Sequence, residues 1–190
     1  MSVAGNLGLI AFSVALLLCA MAGVQIAARR FALSPELQRK IVHVATGLYA
    51  LSLPLTFSDT WPVVALVAVS VVVMGALRLP AVRNLGLGSA VHSVERKSYG
   101  EIYLAIAVGF LFLRAQGQPA LYVIPVLVLT LADSAAALVG TSYGRRRFPI
   151  ERGQKSLEGV ATFFVVTVLL TMIALLLLTD APRGPVIVLA

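Results

Sequence analysis

Long apolar runs, separated by short polar connections, constrain the fold of this chain more than any other feature of its sequence. Of its 190 residues, 59% are hydrophobic and 12% are charged, and the mean hydropathy is +0.97. Soluble domains carry roughly 25% charged residues, because polar groups must cover their surfaces. About 20 apolar residues in a helix cross the bilayer core of about 30 Å, and runs of that kind recur here. The sequence therefore predicts an all-α, polytopic bundle of transmembrane helices.

Six apolar runs are candidates for transmembrane spans. They cover Leu7–Ala28, Ile41–Phe57, Pro62–Leu79, Glu101–Leu113, Ala120–Val139 and Leu157–Leu178. A shorter apolar run at Gly184–Ala190 predicts the start of a seventh span, and with it a sequence truncated at its C-terminus. No repeat or low-complexity tract divides the chain, so we predict one transmembrane domain over residues 1–190.

The basic residues indicate how these spans are oriented. The net charge is +7, and the positive side chains gather in every second connection between spans. Because basic connections stay in the cytoplasm, this alternation predicts an integral membrane protein with its N-terminus outside. The same distribution argues against a nucleic-acid partner, and the single cysteine, Cys19, excludes an intrachain disulfide. The three basic clusters are Arg29, Arg30, Arg39 and Lys40; Arg78, Arg83, Arg96 and Lys97; and Arg145, Arg146, Arg147, Arg152 and Lys155.

The segment before the second span carries the signals of a helix N-terminus. Ser34 suits the N-cap, Pro35 suits the first helical position, and Glu36 falls in the first turn, where the helix dipole favours an anion. At helical spacing, Lys40 and His43 share one face with Glu36. Two interpretations stay open: these are residues of a site, or a lysine that reaches the membrane interface beside a helix-end histidine.

Asp133 is the most informative single residue, because it lies inside the fifth apolar run. We place it about 10 Å from the cytoplasmic end of that helix. A carboxylate at this depth costs a few kcal/mol unless it is paired, hydrated or bound to a cation. It is either a structural partner of an arginine or a helix cap, or a carboxylate that lines a wet cavity. We favour the wet cavity.

Small, basic and acidic residues follow the fifth span. Gly140 and Gly144 lie four residues apart, a spacing that suits both helix packing and a turn that approaches a phosphate closely. Lys155 and Glu158 stand at the start of the sixth span. A carboxylate, a glycine-bounded turn, cations and a second carboxylate are the parts that hold a magnesium–nucleotide. Glu101, at the cytoplasmic edge of the fourth span, is either a further site residue or an ordinary acid at a helix N-terminus.

Four short motifs, in this order along the chain, resemble those of the phytol kinase and dolichol kinase family. They are RKIVHVATG at Arg39–Gly47, SYGEIY at Ser98–Tyr103, ADSAAALVG at Ala132–Gly140 with Gly144 after it, and KSLEG at Lys155–Gly159. The resemblance implies a membrane kinase that uses Mg²⁺ and transfers a phosphoryl group from CTP, or UTP, to the hydroxyl of a membrane lipid alcohol. It leaves open whether the alcohol is phytol, a dolichol or polyprenol, or diacylglycerol.

The same resemblance implies roles for individual residues. Asp133 and Glu158 would hold Mg²⁺, and Lys155 would meet the nucleotide phosphates. His43 or Lys40 would orient the lipid hydroxyl, and the histidine could also take its proton, because an imidazole exchanges protons near neutral pH. The remaining nucleotide-binding positions are Gly140, Gly144, Ser156 and Gly159, with Arg39 and Glu101 as further candidates.

Two other functions stay open. A phosphatidate cytidylyltransferase would use a similar nucleotide site but attack the α-phosphorus and release pyrophosphate. The C-terminal motif of those enzymes, with its paired glycines and aspartates, is absent from this sequence. An ion-coupled transporter would use Asp133 at the membrane midplane, but the residue lies toward the cytoplasmic end of its span and no inverted repeat is visible. A lipid-alcohol kinase is therefore the expected function.

Overall fold

Helices form almost all of the regular structure in the described part of the chain, as the sequence predicts. The computed structural model describes residues 2–77, 100–150 and 153–179. The helices are α1 (Val3–Phe31), α2 (Pro35–Leu51), α3 (Leu53–Thr56), α4 (Thr60–Ala76), α5 (Gly100–Ala115), α6 (Pro119–Leu127), α7 (Asp133–Ser142) and α8 (Leu157–Leu178). A π-helical turn, Val128–Ala132, joins α6 to α7. A hairpin of two strands, β1 (Arg147–Ile150) and β2 (Gly153–Ser156), joins α7 to α8.

Among the described residues, three helices have the length and composition to cross a membrane: α1, the continuous helix Pro119–Ser142, and α8. Helix α8 coincides with the predicted sixth span. Helix α4 is apolar but has 17 residues, which gives a length of about 25 Å at 1.5 Å per residue. The number of six spans therefore remains a prediction. Leu79, the basic connection at 78–97 and the run from Gly184 lie outside the described residues.

The chain divides into two compact units, Met1–Leu113 and Arg114–Ala190. The single transmembrane domain expected over residues 1–190 remains a prediction. In the first unit, α1 packs against both α2 and α4. Helix α2 begins as predicted, because the Ser34 hydroxyl accepts a hydrogen bond from the Leu37 N–H at 3.3 Å and Pro35 takes the first helical position. A proline there loses no hydrogen bond, since the first N–H groups of a helix have no helical partner.

Contacts with α1 fix the directions of α2 and α4. Asn6 of α1 donates a hydrogen bond to Asp59, just before α4, and Met21 of α1 clusters with Leu77, just after α4, so α1 and α4 run in the same direction.

Helix α2 runs the opposite way. Its Tyr49 donates a hydrogen bond to Ser13, whereas Val42, in the middle of α2, lies in the buried cluster with Met21. Gly109 of α5 lies so close to α4 that a Cβ atom there would be 3.1 Å from a Val67 methyl group.

In the second unit, α8 packs along α6, the π-helical turn and α7. Pro125 lies inside α6, and the π-helical turn begins at Val128. The backbone N–H of Asp133 donates to the Val128 carbonyl, five residues earlier. This wider turn carries one extra residue and re-aims the side chains that follow it, a feature found often at functional sites.

The β-hairpin between α7 and α8 was not anticipated from the sequence. Its strands pair antiparallel, with Arg147 opposite Ser156 and Ile150 opposite Gly153. Gly153 has a φ of 118°, a conformation that a residue with a side chain rarely adopts. Pro149 has no N–H to donate, which a two-stranded ribbon tolerates because each strand has one unpaired edge.

Candidate active site

Asp133 is the first residue of α7, directly after the π-helical turn. Its side chain is exposed, whereas its neighbours Ala132 and Ser134 are buried. Nine residues separate it from the end of the helix at Ser142, about 14 Å at 1.5 Å per residue. The carboxylate therefore stands on the surface of the second unit, well before the end of a helix that has the composition of a membrane span. Its predicted role as a metal ligand remains a prediction.

Three of the predicted site residues meet where α7 crosses α8. A Cβ atom on Gly159 would lie 2.9 Å from the Ala136 carbonyl oxygen and 3.2 Å from the Gly140 Cα. One on Gly144 would lie 2.2 Å from the Gly140 carbonyl oxygen. Backbone atoms cannot move away as the end of a side chain can, so Gly144 and Gly159 require glycine for close packing. At Gly140 the nearest atom to a Cβ would be the Ser156 hydroxyl oxygen, at 3.0 Å. Of the two roles that the spacing left open, packing is observed, and phosphate binding remains a prediction.

Ser156 joins the hairpin to both helices at this crossing. It is buried, and as the N-cap of α8 its hydroxyl accepts a hydrogen bond from the Gly159 N–H at 3.1 Å. The same hydroxyl donates to the Gly140 carbonyl at 3.4 Å, near the end of α7. One side chain thus satisfies a donor at the start of one helix and an acceptor at the end of another.

Glu158 holds the turn that leads into the hairpin. The Arg146 backbone N–H donates to both carboxylate oxygens, at 3.2 and 3.4 Å. The Arg146 carbonyl in turn accepts from the Leu157 N–H at 2.9 Å. The carboxylate also lies in the first turn of α8, where the helix dipole favours a negative charge. The structure therefore gives Glu158 an anchoring role that spacing alone did not indicate.

The basic side chains of this region lie on the hairpin and the turn before it. Lys155 is exposed on β2, opposite Phe148 of β1. The guanidinium Nε of Arg147 donates to the Gly144 carbonyl at 3.3 Å, which ties β1 to the end of α7. Arg145 and Arg146 are also exposed. The glycines Gly140, Gly144 and Gly159 pack together where α7 meets α8, a place called the glycine crossing below. The hairpin presents its cations beside this crossing, where an anionic ligand would meet them.

Three buried hydroxyl groups of the second unit were missed from the sequence. Thr130 lies in the π-helical turn, Ser134 follows Asp133, and Thr167 lies on α8. Their hydroxyl oxygens have no hydrogen-bond partner among the described residues. Leaving a polar group unsatisfied costs roughly 1–3 kcal/mol, so such groups are unusual in a packed interior. The run Leu129–Ser134, in which polar residues interrupt an apolar segment beside a carboxylate, is the sequence signal that could have identified two of them.

The predicted residues of the first unit are gathered on α2 and α5. Arg39 and Glu36 form a two-point ion pair, with Nη2–Oε1 at 2.6 Å and Nε–Oε2 at 3.3 Å. Lys40 is only 4% exposed, which does not fit a lysine that lies along the membrane interface. His43 and Glu101 line one cavity. The motif residues Ser98 and Tyr99 lie outside the described residues.

The first unit thus contains Arg39, Lys40, His43 and Glu101, and the second contains Asp133, Gly140, Gly144, Lys155, Ser156, Glu158 and Gly159. Among the described residues, no group of three or more histidine, cysteine, aspartate or glutamate side chains is arranged to hold a metal ion. Mg²⁺ commonly uses one or two protein carboxylates together with substrate phosphates and water. The predicted binding of Mg²⁺ by Asp133 and Glu158 remains a prediction.

The sequence places the chain in a known family of membrane proteins. It belongs to the Cytidylyltransferase family, whose profile matches residues 2–190. Together with the relative described next, this match confirms the resemblance to the phytol kinase and dolichol kinase family that the four motifs predict.

A comparison with individual proteins identifies a more specific relative than the family alone. The chain is 33% identical over 151 residues to a phytol kinase from Synechocystis sp. (strain ATCC 27184 / PCC 6803 / Kazusa). The matched residues are 77% of this chain and 62% of the relative, so the chain spans less than two thirds of that protein's length. No solved structure matches the chain.

Proposed function

We propose that this protein is a CTP-dependent kinase that phosphorylates the hydroxyl group of an isoprenoid lipid alcohol of the phytol type. The observation that carries the proposal is the glycine crossing of the second unit. It has a carboxylate at Asp133, about two helical turns before Gly140, and an exposed cationic hairpin beside it. A Mg²⁺–nucleotide needs these groups, and the similarity to a phytol kinase supports an alcohol as the acceptor.

The second unit is assigned to the nucleotide. Asp133 and Glu158 would hold Mg²⁺, which supplies charge neutralisation at the phosphates when it is bound. The carboxylate of Glu158 fits this role, because its two oxygens offer about four acceptor positions and the Arg146 N–H takes up only part of them. Lys155 would contact the phosphates from the hairpin. The glycines would keep the backbone of α7 and α8 close together, so that these side chains hold one geometry.

The first unit is assigned to the alcohol. In the proposed reaction the alcohol oxygen attacks the γ-phosphorus, the bond from that phosphorus to the β–γ bridging oxygen breaks, and CDP leaves. His43 would accept the proton of the hydroxyl group, and Lys40 or Glu101 would orient it. The charge distribution supports a cytoplasmic position for the nucleotide residues, with the N-terminus outside.

Purified protein incubated with γ-labelled CTP, Mg²⁺ and a panel of lipid alcohols tests the proposal. We expect the label on the lipid and unlabelled CDP in solution. UTP in place of CTP measures the nucleotide preference, and diacylglycerol in the panel measures the breadth of acceptors. A protein that labels no alcohol under any of these conditions is not a lipid-alcohol kinase.

A second candidate function, synthesis of a CDP-lipid from CTP and phosphatidate, is favoured by the description of the matched family. The same nucleotide site would then serve attack at the α-phosphorus. With γ-labelled CTP and phosphatidate, that reaction releases labelled pyrophosphate and places cytidine on the lipid. This product pattern would replace the kinase proposal while keeping the nucleotide site.

A further inference from the structure

The first unit contains a partly open cavity of about 70 Å³ between α1, α2, α4 and α5. Eleven of its sixteen lining residues are apolar. The polar ones are His43, Thr46, Tyr49, Ser70 and Glu101. A mostly apolar cavity with a few polar groups is the usual form of a site for a small organic molecule.

The imidazole of His43 and the carboxyl group of Glu101 come early among the lining residues of their helices, and mostly aliphatic residues follow. On α2 the lining residues run from Val42 to Ala50, and Leu53 of α3 continues them, so that His43 and Leu53 are about 15 Å apart at 1.5 Å per residue. On α5 they run from Glu101 to Val108. The hydroxyl groups of Thr46, Tyr49 and Ser70 also line the cavity, and that of Tyr49 donates a hydrogen bond to Ser13.

The contacts of α4 show how the cavity-lining residues of α2 and α5 are aligned with each other. Helix α2 runs opposite to α4, as the contacts of both helices with α1 show. Val67 is near the first of the cavity-lining residues of α4, and it contacts Gly109, which follows the last of those on α5. Helices α2 and α5 therefore run in the same direction, opposite to α4. The side chains of His43 and Glu101 consequently share one end of the cavity.

We infer that this cavity binds the hydroxyl-bearing end of the lipid alcohol, with the hydroxyl between His43 and Glu101 and the first carbons against Ala50, Leu66 and Val108. The inference rests on the proposed function and adds the acceptor site to it. A lipid alcohol matches the cavity because it has one polar group on an otherwise apolar body. Neither a nucleotide, with its charged phosphates, nor a hydrated ion matches the largely aliphatic lining at the other end.

The size of the cavity determines how much of the alcohol it can contain. A volume of 70 Å³ accommodates about five water molecules, or a similar volume of hydrocarbon. This is space for about one five-carbon isoprene unit, so the rest of the chain must extend into the bilayer. The enzyme should therefore discriminate by branching near the hydroxyl and be tolerant of total chain length.

Filling the apolar end tests this assignment. Ala50→Leu adds three carbons to a buried position of the cavity wall. Leu48→Phe enlarges a half-exposed side chain of the same helix that does not line the cavity. We expect Ala50→Leu to raise the KM for a C20 isoprenoid alcohol about tenfold and the KM for CTP less than about twofold. Leu48→Phe should leave both constants within about twofold of the original protein. Equal effects of the two variants would overturn the assignment.

Photolabelling of the unmodified protein gives a second measurement that does not require a variant to fold. The probe is a C20 isoprenoid alcohol with a diazirine on the first isoprene unit, in nanodiscs, followed by peptide mass spectrometry. We expect label on the cavity-lining residues of α2 and α5, and competition by unlabelled alcohol but not by the corresponding alkane. Label confined to other residues of an active kinase would refute the cavity and leave the kinase intact. Competed label in the cavity of a protein that phosphorylates no alcohol would support the binding site and refute the kinase.

Discussion

Asp133 combines three features that are uncommon together: a carboxylate in an apolar segment, an exposed side chain, and a position directly after a π-helical turn. The turn widens the helical backbone just before this residue. It also contains Thr130, whose buried hydroxyl group has no hydrogen-bond partner among the described residues, which is a second local departure from regular packing. Natural proteins tolerate such departures chiefly where function needs them. The position is therefore the first to test.

Asp133→Asn should reduce phosphorylation of the alcohol at least about 100-fold, because it removes the charge that a cation would need and changes little volume. The melting temperature in detergent should stay within about 2 °C, since the side chain is exposed. Asp59→Asn is the matched control. Asp59 precedes α4, where its carboxylate accepts a hydrogen bond from Asn6 at 3.0 Å, outside the proposed nucleotide site. Normal turnover of Asp133→Asn would make that carboxylate structural.

Glu158 has two proposed roles that a pair of variants can separate. Glu158→Gln keeps an oxygen that can accept from the Arg146 N–H but loses the negative charge. Glu158→Ala loses both. We expect Glu158→Gln to lower activity more than about tenfold with little change in melting temperature. Glu158→Ala should lower both the activity and the melting temperature. If Gln retains full activity, the residue acts only as the anchor of the turn.

At the scale of elements, the crossing of α7 and α8 depends on glycine. Gly159→Ala should lower the melting temperature by about 4 °C or more, because its Cβ would meet backbone atoms that cannot retreat. Gly23→Ala, in α1, is the control, since nothing lies within 4 Å of a Cβ there. Alanine in that open helical position should leave stability unchanged or raise it slightly. Differential scanning fluorimetry of the two variants measures the contrast, and similar melting temperatures would mean that the crossing is looser than described.

The elements differ in how far the sequence could predict them. The start of α2 was predictable, because Ser34 and Pro35 act locally, and α8 was predictable from one uninterrupted apolar run. The hairpin was not, because its four-residue strands are largely exposed and carry no alternation of apolar and polar residues. The π-helical turn was also hidden, since a hydrogen bond to the fifth preceding residue has no distinct spacing pattern. The roles of Gly140 and Gly144 stayed ambiguous because packing and phosphate binding favour the same spacing.

At the scale of the whole molecule, composition was sufficient to predict a helical membrane protein, whereas the cavity was not predictable. Its lining comes from helices far apart in the sequence, and its polarity emerges only once their directions are known. His43 and Glu101 therefore share one cavity end through packing and not through any motif. Membrane orientation is the remaining global property, and it decides whether the nucleotide site faces the supply of CTP inside the cell.

The distribution of positive charge predicts the result of an accessibility experiment. Ser58 and Ser142 are both exposed, and they lie in connections of opposite predicted sides. In a Cys19→Ala background, which removes the one native thiol, Ser58→Cys should react with an impermeant maleimide in intact cells. Ser142→Cys should react only after the membrane is opened, because Ser142 is the last residue of α7 and lies close in sequence to the basic hairpin. The reverse pattern would place Lys155 and the glycine crossing outside, where CTP is scarce, and would refute the kinase proposal together with the topology.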